Sequence, residues 1–137
     1  MPSWRDELIE AVKTKTEREA EEQARHRKRV EEALATAEAA MALGVEALRY
    51  TRDRLNDKGQ AAVLAEEKDS YRLKLGELGL TLELVRESAV IKVTFGEGKP
   101  REFDLAKDRH IAPADVEEYM GRRALELVRG AYKTSPW

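Results

Sequence analysis

The stretch VEEALATAEAAMALGVEALRYTRDRL, Val30 to Leu55, decides how the chain is read. Leu34, Met41, Leu48 and Leu55 recur every seven residues, and Val30, Ala37, Gly44 and Thr51 fill the positions three or four residues away. This 3-4 alternation keeps one apolar seam on one side of a helix, which is the spacing that holds two helices together while they supercoil. It predicts that Val30, Leu34, Ala37, Met41, Gly44, Leu48, Thr51 and Leu55 form a self-association surface, in a homodimer as the simplest closed form or in a higher oligomer, with parallel and antiparallel arrangements both open. A second stripe, Ala33, Ala37, Ala40, Gly44 and Ala47, is made of small residues. It would let another backbone approach closely, from a partner helix or from the chain's own sheet. Gly44 costs about 1 kcal/mol relative to Ala in a helix interior, so it marks either that close approach or a kink.

Followed towards the N-terminus, the same frame passes through Arg27, Gln23, Ala20, Thr16, Lys13 and Ile9, and its apolar content fades. Nearly every residue from Lys13 to Glu32 is charged or small. Helix propensity and intrahelical pairs such as Glu21 with Arg25 must hold this part, each pair worth roughly 0.2–0.5 kcal/mol. Ser3 suits the N-cap, Asp6 and Glu7 place negative charge in the first turn, and Trp4, Leu8 and Ile9 make the tip apolar. Asn56-Asp57-Lys58-Gly59 is a stop signal. A helix over this span would be about 80 Å long, more than a domain of this size can bury.

Beyond residue 56 the period changes. Gln60 to Asp69 is Ala-rich and reads as a short helix. Tyr71, Leu73 and Leu75, then Leu80, Leu82 and Leu84, then Ile91, Val93 and Phe95 alternate with polar residues, the pattern of strands with one wet face. Gly76 to Gly79, Glu87-Ser88 and Gly96-Glu97-Gly98 supply connections, and Arg101 to Leu105 supplies a short fourth strand. Pro113 opens a closing helix with the apolar stripe Val116, Met120, Ala124, Leu127 and Ala131, bordered by Tyr119 and Val128. The tail Thr134 to Trp137 reads as frayed, with Trp137 available to dock. The expected fold class is α+β: a long coiled-coil-like arm over 1–56, then a module over 57–137 made of a short helix, an antiparallel meander of three to four strands and a C-terminal helix.

The 137 residues are 38% charged and 42% hydrophobic with a formal charge of -2, which promises neither a strong field for nucleic acid nor an acidic tail. Cysteine is absent, which excludes disulfides, thiolate metal sites and cysteine nucleophiles. No apolar run reaches the length of a membrane span, no signal-peptide pattern opens the chain, and a cytoplasmic location is the default expectation.

The cluster Arg25-His26-Arg27-Lys28-Arg29 is the leading candidate contact for an anion or nucleic acid, through Arg25, Arg27, Lys28 and Arg29, with the basic face Arg122, Arg123 and Arg129 of the last helix as a second. It is flanked by Glu17, Glu19, Glu21 and Glu22 on one side and by Glu31 and Glu32 on the other, an alternation typical of a salt-bridged helical surface. His110 with Asp104, Asp108 and Asp115 matches no standard metal-ligand spacing. Glu66, Glu67 and Asp69, and Glu117 with Glu118, read as helix-end acids rather than as catalytic pairs. Arg122, Arg123 and Arg129 adjoin no aromatic platform. No phosphate loop or nucleophile elbow is present. No catalytic residue, metal or cofactor is expected. The chain is expected to be a non-enzymatic interaction or scaffold protein that associates with itself and presents its C-terminal module. The alternatives are a nucleic-acid-associated protein using residues 25–29 and a monomeric adaptor for another protein.

Overall fold

The computed structural model describes Ser3 to Lys133, so the expectation about Thr134 to Trp137 lies outside the described residues. Helix α1 runs without interruption from Trp4 to Asp57. Its start is a full capping box: the Ser3 hydroxyl accepts from the Asp6 N–H and the Asp6 carboxylate accepts from the Ser3 N–H. Its end is closed by Gly59 at φ +82 and by bonds from the Lys58 and Gln60 N–H groups to the Leu55 carbonyl.

Five strands follow: β1 Ala62–Glu67, β2 Ser70–Leu75, β3 Leu78–Val85, β4 Val90–Phe95 and β5 Arg101–Asp104. They form one antiparallel meander in the order β1-β2-β3-β4-β5, and α2, Pro113–Lys133, is the last element among the described residues. The fold is thus α+β, with one strand more than the alternation alone suggested. The additional strand, β1, lies where the sequence suggested a short helix. Ala-rich composition is overridden there by pairing along the whole of β2, from Ala62 with Leu75 to Glu67 with Ser70. Asn56 fixes the start of this strand, because its side chain accepts from the Ala62 N–H at 2.9 Å and donates to the Ala62 carbonyl at 3.2 Å.

Register places Leu73 opposite Leu80, Leu80 opposite Phe95, Leu82 opposite Val93, and Leu84 opposite Ile91, which in turn faces Phe103. These side chains share one face of the sheet, and both helices cover it. Arg72, Lys74, Glu83, Lys92 and Glu102 occupy the other face, with Lys92 and Glu102 3.7 Å apart. Val116, Met120, Ala124 and Leu127 of α2 are buried as the helical spacing predicts.

The second half of α1 belongs to this same core. Ala33, Ala37, Ala40, Met41, Val45, Leu48 and Leu55 pack with the inner face of the sheet and with α2, which is the main neighbour of α1. Gly44 is no kink. A Cβ on it would fall 2.7 Å from Leu82 Cδ2 and 3.6 Å from Met120 Cγ, so its missing side chain lets α1 approach both β3 and α2.

Candidate functional site

The eight predicted seam residues do not form an open surface. Ala37, Gly44 and Leu48 are buried with Met41 and Leu55, while Val30, Leu34 and Thr51 are half-buried. The shelter for this seam comes from the chain itself, and that corrects the expectation that it stands exposed for a second chain. The physical reason is that α2 and the meander each have one apolar face. Both faces are satisfied by the same stripe of α1.

The exposed part of α1 lies further towards its N-terminus. From Trp4 to Arg29 every described side chain is exposed, over roughly 40 Å of helix. Trp4 at 68%, Leu8 at 55%, Ile9 at 64% and Val12 at 58% are large apolar groups standing in water. Trp4, Leu8 and Val12 follow one another at four-residue spacing on one side of the helix, with Ile9 at its margin. Thr14 and Thr16 donate their hydroxyls back to the carbonyls of Glu10 and Val12 at 2.6 and 3.1 Å, which satisfies those polar groups locally. The apolar tip is legible in the sequence at Trp4, Leu8 and Ile9, and Val12 extends it by one helical turn.

The basic cluster sits at the root of the exposed segment, where α1 enters the core. Arg25 pairs with Glu21 at 3.3 Å on the open surface. Arg29 lies beside the loop after β5, and with Lys107, Arg109 and His110 it lines one shallow basic depression that also contains Asp108. A neighbouring depression of about 160 Å³ has Arg29, Glu32 and Thr36 on one wall and Leu105, Ala106 and Ile111 on the other. Local spacing could not reveal this junction of residues 29 and 105–111, which tertiary packing creates.

Glu66, Asp69, Asp104, Asp108, Asp115 and Glu118, among the acidic residues singled out from sequence, have structural partners. Glu66 accepts from Arg49 Nε at 2.7 Å, which holds its carboxyl below the usual glutamate range. Asp69 accepts from Arg86, and that hydrogen bond likewise lowers its carboxyl. Both groups therefore stay ionised at neutral pH, tying β1 and the β1–β2 turn to their surroundings. Asp115 accepts from the Ala112 N–H at the start of α2, and Glu118 pairs with Arg122 at 2.8 Å. Asp104 and Asp108 accept the backbone N–H groups of Lys107 and His110. Among the described residues, no group of three or more histidine and acidic side chains is placed to hold a metal ion.

One expectation about α2 is corrected. Arg123 does meet an aromatic platform, with its guanidinium 5.0 Å from the Tyr119 ring centre, while Tyr119 meets Phe103 edge-on at 5.4 Å. Arg101 covers the other end at 5.2 Å from Phe103. Tyr119 and Arg123 are one helical turn apart, so their spacing could have disclosed the pair. The register of β5, by contrast, is not readable locally.

No helix among the described residues is long and apolar enough to cross a membrane. Comparison with models of known families, with curated proteins and with solved structures gives no match.

Proposed function

We propose that this chain is a non-enzymatic, cytoplasmic interaction or scaffold protein that self-associates through its helical arm and presents the α+β module at the far end. The observation that supports this most directly is the exposed segment Trp4 to Arg29 with its four large apolar side chains. An isolated helix this polar is marginal in water, and tertiary packing begins only near Val30. A second helix against the tip would remove apolar area from water and hold the helical conformation at once. The association surface is accordingly the first half of α1, since the second half already serves the core.

Sedimentation equilibrium of the full chain tests the proposal. A homodimer that Leu8→Glu with Val12→Glu converts to a folded monomer is expected. A strict monomer at tens of micromolar contradicts self-association and favours an adaptor for a different protein.

A second reading rests on the way the loop after β5 adds Lys107 and Arg109 to Arg29 at the end of the Arg25–Arg29 cluster. Phosphate contacts there would give nucleic-acid binding that falls steeply with salt. Duplex and single-stranded probes that show no shift at low salt would remove this reading.

A further inference from the structure

The charges of the exposed arm come in blocks. Arg5, Asp6, Glu7 and Glu10 carry a net -2, and Lys13 and Lys15 carry +2. Glu17, Arg18, Glu19, Glu21 and Glu22 carry -3, and Arg25, Arg27, Lys28 and Arg29 carry +4. In a parallel, in-register pair of arms every block would face its own copy, and like charges would oppose one another along the whole length. The blocks are complementary when one arm is reversed about its middle.

We infer that two copies of the chain pair through their exposed arms in an antiparallel arrangement centred near Glu17, so that residue i of one copy lies beside residue 34 − i of the other. The inference rests on the proposed self-association and specifies its geometry. In this register the acidic first block lies along the partner copy's basic fourth block, and the basic second block lies along its acidic third. The apolar tip meets this pattern at its end, while Ile9 and Val12 come beside the side chains of Arg25 and Glu22. Trp4 comes beside Val30, which is only half-buried in the single chain, and Leu8 comes beside His26.

The end of the overlap coincides with the root of the arm. A tip that stops beside Val30 arrives at the depression walled by Leu105, Ala106 and Ile111, with Arg109 at its edge. That position offers apolar contact to Trp4, while Asp6 and Glu7 come beside Lys28 and Arg27 of the partner copy's arm. The overlap therefore ends where the module begins, and it fits the length of arm that the core leaves uncovered. The basic cluster, read in isolation as a nucleic-acid contact, becomes the acceptor for the acidic tip of a second copy.

The absence of cysteine makes the test direct, because single Thr16→Cys and Glu31→Cys variants of the full chain each carry one spin label at an exposed position. Between the two copies, antiparallel pairing predicts labels close together at position 16. At position 31 the labels stand 28 residues apart in register, or about 42 Å along the axis. Close approach at both positions means a parallel pair, which overturns the inference and leaves self-association standing. Absence of coupling at both positions in a chain that sediments as a monomer overturns the inference together with the proposed function. Absence of coupling in a dimer overturns the inference and moves the interface off the arm.

An independent measurement uses charge reversal. Glu7→Lys with Glu10→Lys is expected to weaken the pair by about tenfold or more at low salt, and adding Arg27→Glu with Arg25→Glu, the basic residues nearest to them in this register, is expected to restore it. Lack of restoration contradicts the antiparallel register.

Discussion

Arg86 grips Asp69 with two nitrogens, Nε at 2.6 Å and Nη2 at 2.8 Å, while its third nitrogen reaches Glu38 on α1 at 2.7 Å. One guanidinium thereby joins the β3–β4 connection, the β1–β2 turn and the buried half of the long helix. Asp69 sits at φ +61, so the grip also holds a backbone conformation that most side chains avoid.

The Arg86–Asp69 pair makes stability depend on pH in a defined direction. Hydrogen bonding to Arg86 holds the Asp69 carboxyl below its ordinary value of 3.8. A carboxyl lowered in the folded state contributes stability that is fully present above its unfolded value and is lost as pH falls through the folded one. Asp69→Asn, which tolerates the same backbone angle, is therefore expected to melt below the wild type at pH 7. The difference should shrink once the pH passes below about 4. Melting curves at pH 7, 5 and 3 check this; a difference independent of pH contradicts it.

Gly44 and Gly121 are expected to respond oppositely to an added side chain. At Gly44 a Cβ would press on Leu82, itself fully buried, so Gly44→Val is expected to cost about 1–3 kcal/mol or more through overpacking. Gly121 lies exposed in α2 with nothing within 4 Å of a new Cβ, and Gly121→Ala is expected to stabilise by about 0.5–1 kcal/mol. Urea denaturation of the two variants measures both signs.

Leu48 separates internal from intermolecular use of the heptad. It is fully buried, so Leu48→Ala is expected to lower stability by about 2–5 kcal/mol. The dimerisation constant of the protein that remains folded is expected to stay unchanged, because the residue faces its own core. A large loss of association without loss of stability would return the interface to the Val30–Leu55 seam.

Asn56 is expected to matter more than an exposed polar residue at a helix end usually does. Asn56→Ala leaves the Ala62 N–H and carbonyl without their side-chain partner at the first residue of β1, at a cost of about 1–3 kcal/mol. Hydrogen exchange localises the effect: faster exchange confined to β1 and the end of α1 is the expected pattern.

Much of the fold was legible because local signals agreed. Ser3 and Asp6 announced the helix start, Asn56 to Gly59 its end, and the alternation from Tyr71 to Phe95 gave three strands whose partners followed from short turns. The seam at Leu34, Met41, Leu48 and Leu55 carries less information than its regularity suggests. A seven-residue apolar repeat specifies that a helix buries one side, and it is silent on whether the covering surface belongs to the same chain. The stripe of Ala37, Ala40 and Gly44 carried the missing information: all three are buried, and at Gly44 the absent side chain makes room for Leu82 and Met120. Strand β1 was hidden because Ala65, Glu66 and Glu67 favour helix in isolation and are carried into the sheet by β2. The grip of Arg86 on Glu38 spans 48 residues of sequence, and no local pattern encodes it.

Small-angle scattering from the full chain over a concentration series reads mass and length together and so bears most directly on the exposed arm as the association surface. Twice the 15.6 kDa of a single chain, with a maximum dimension of at least about 120 Å, is the predicted result for two arms overlapping as far as Val30. A mass of one chain at every concentration, with a length near the 80 Å of α1 alone, would contradict it.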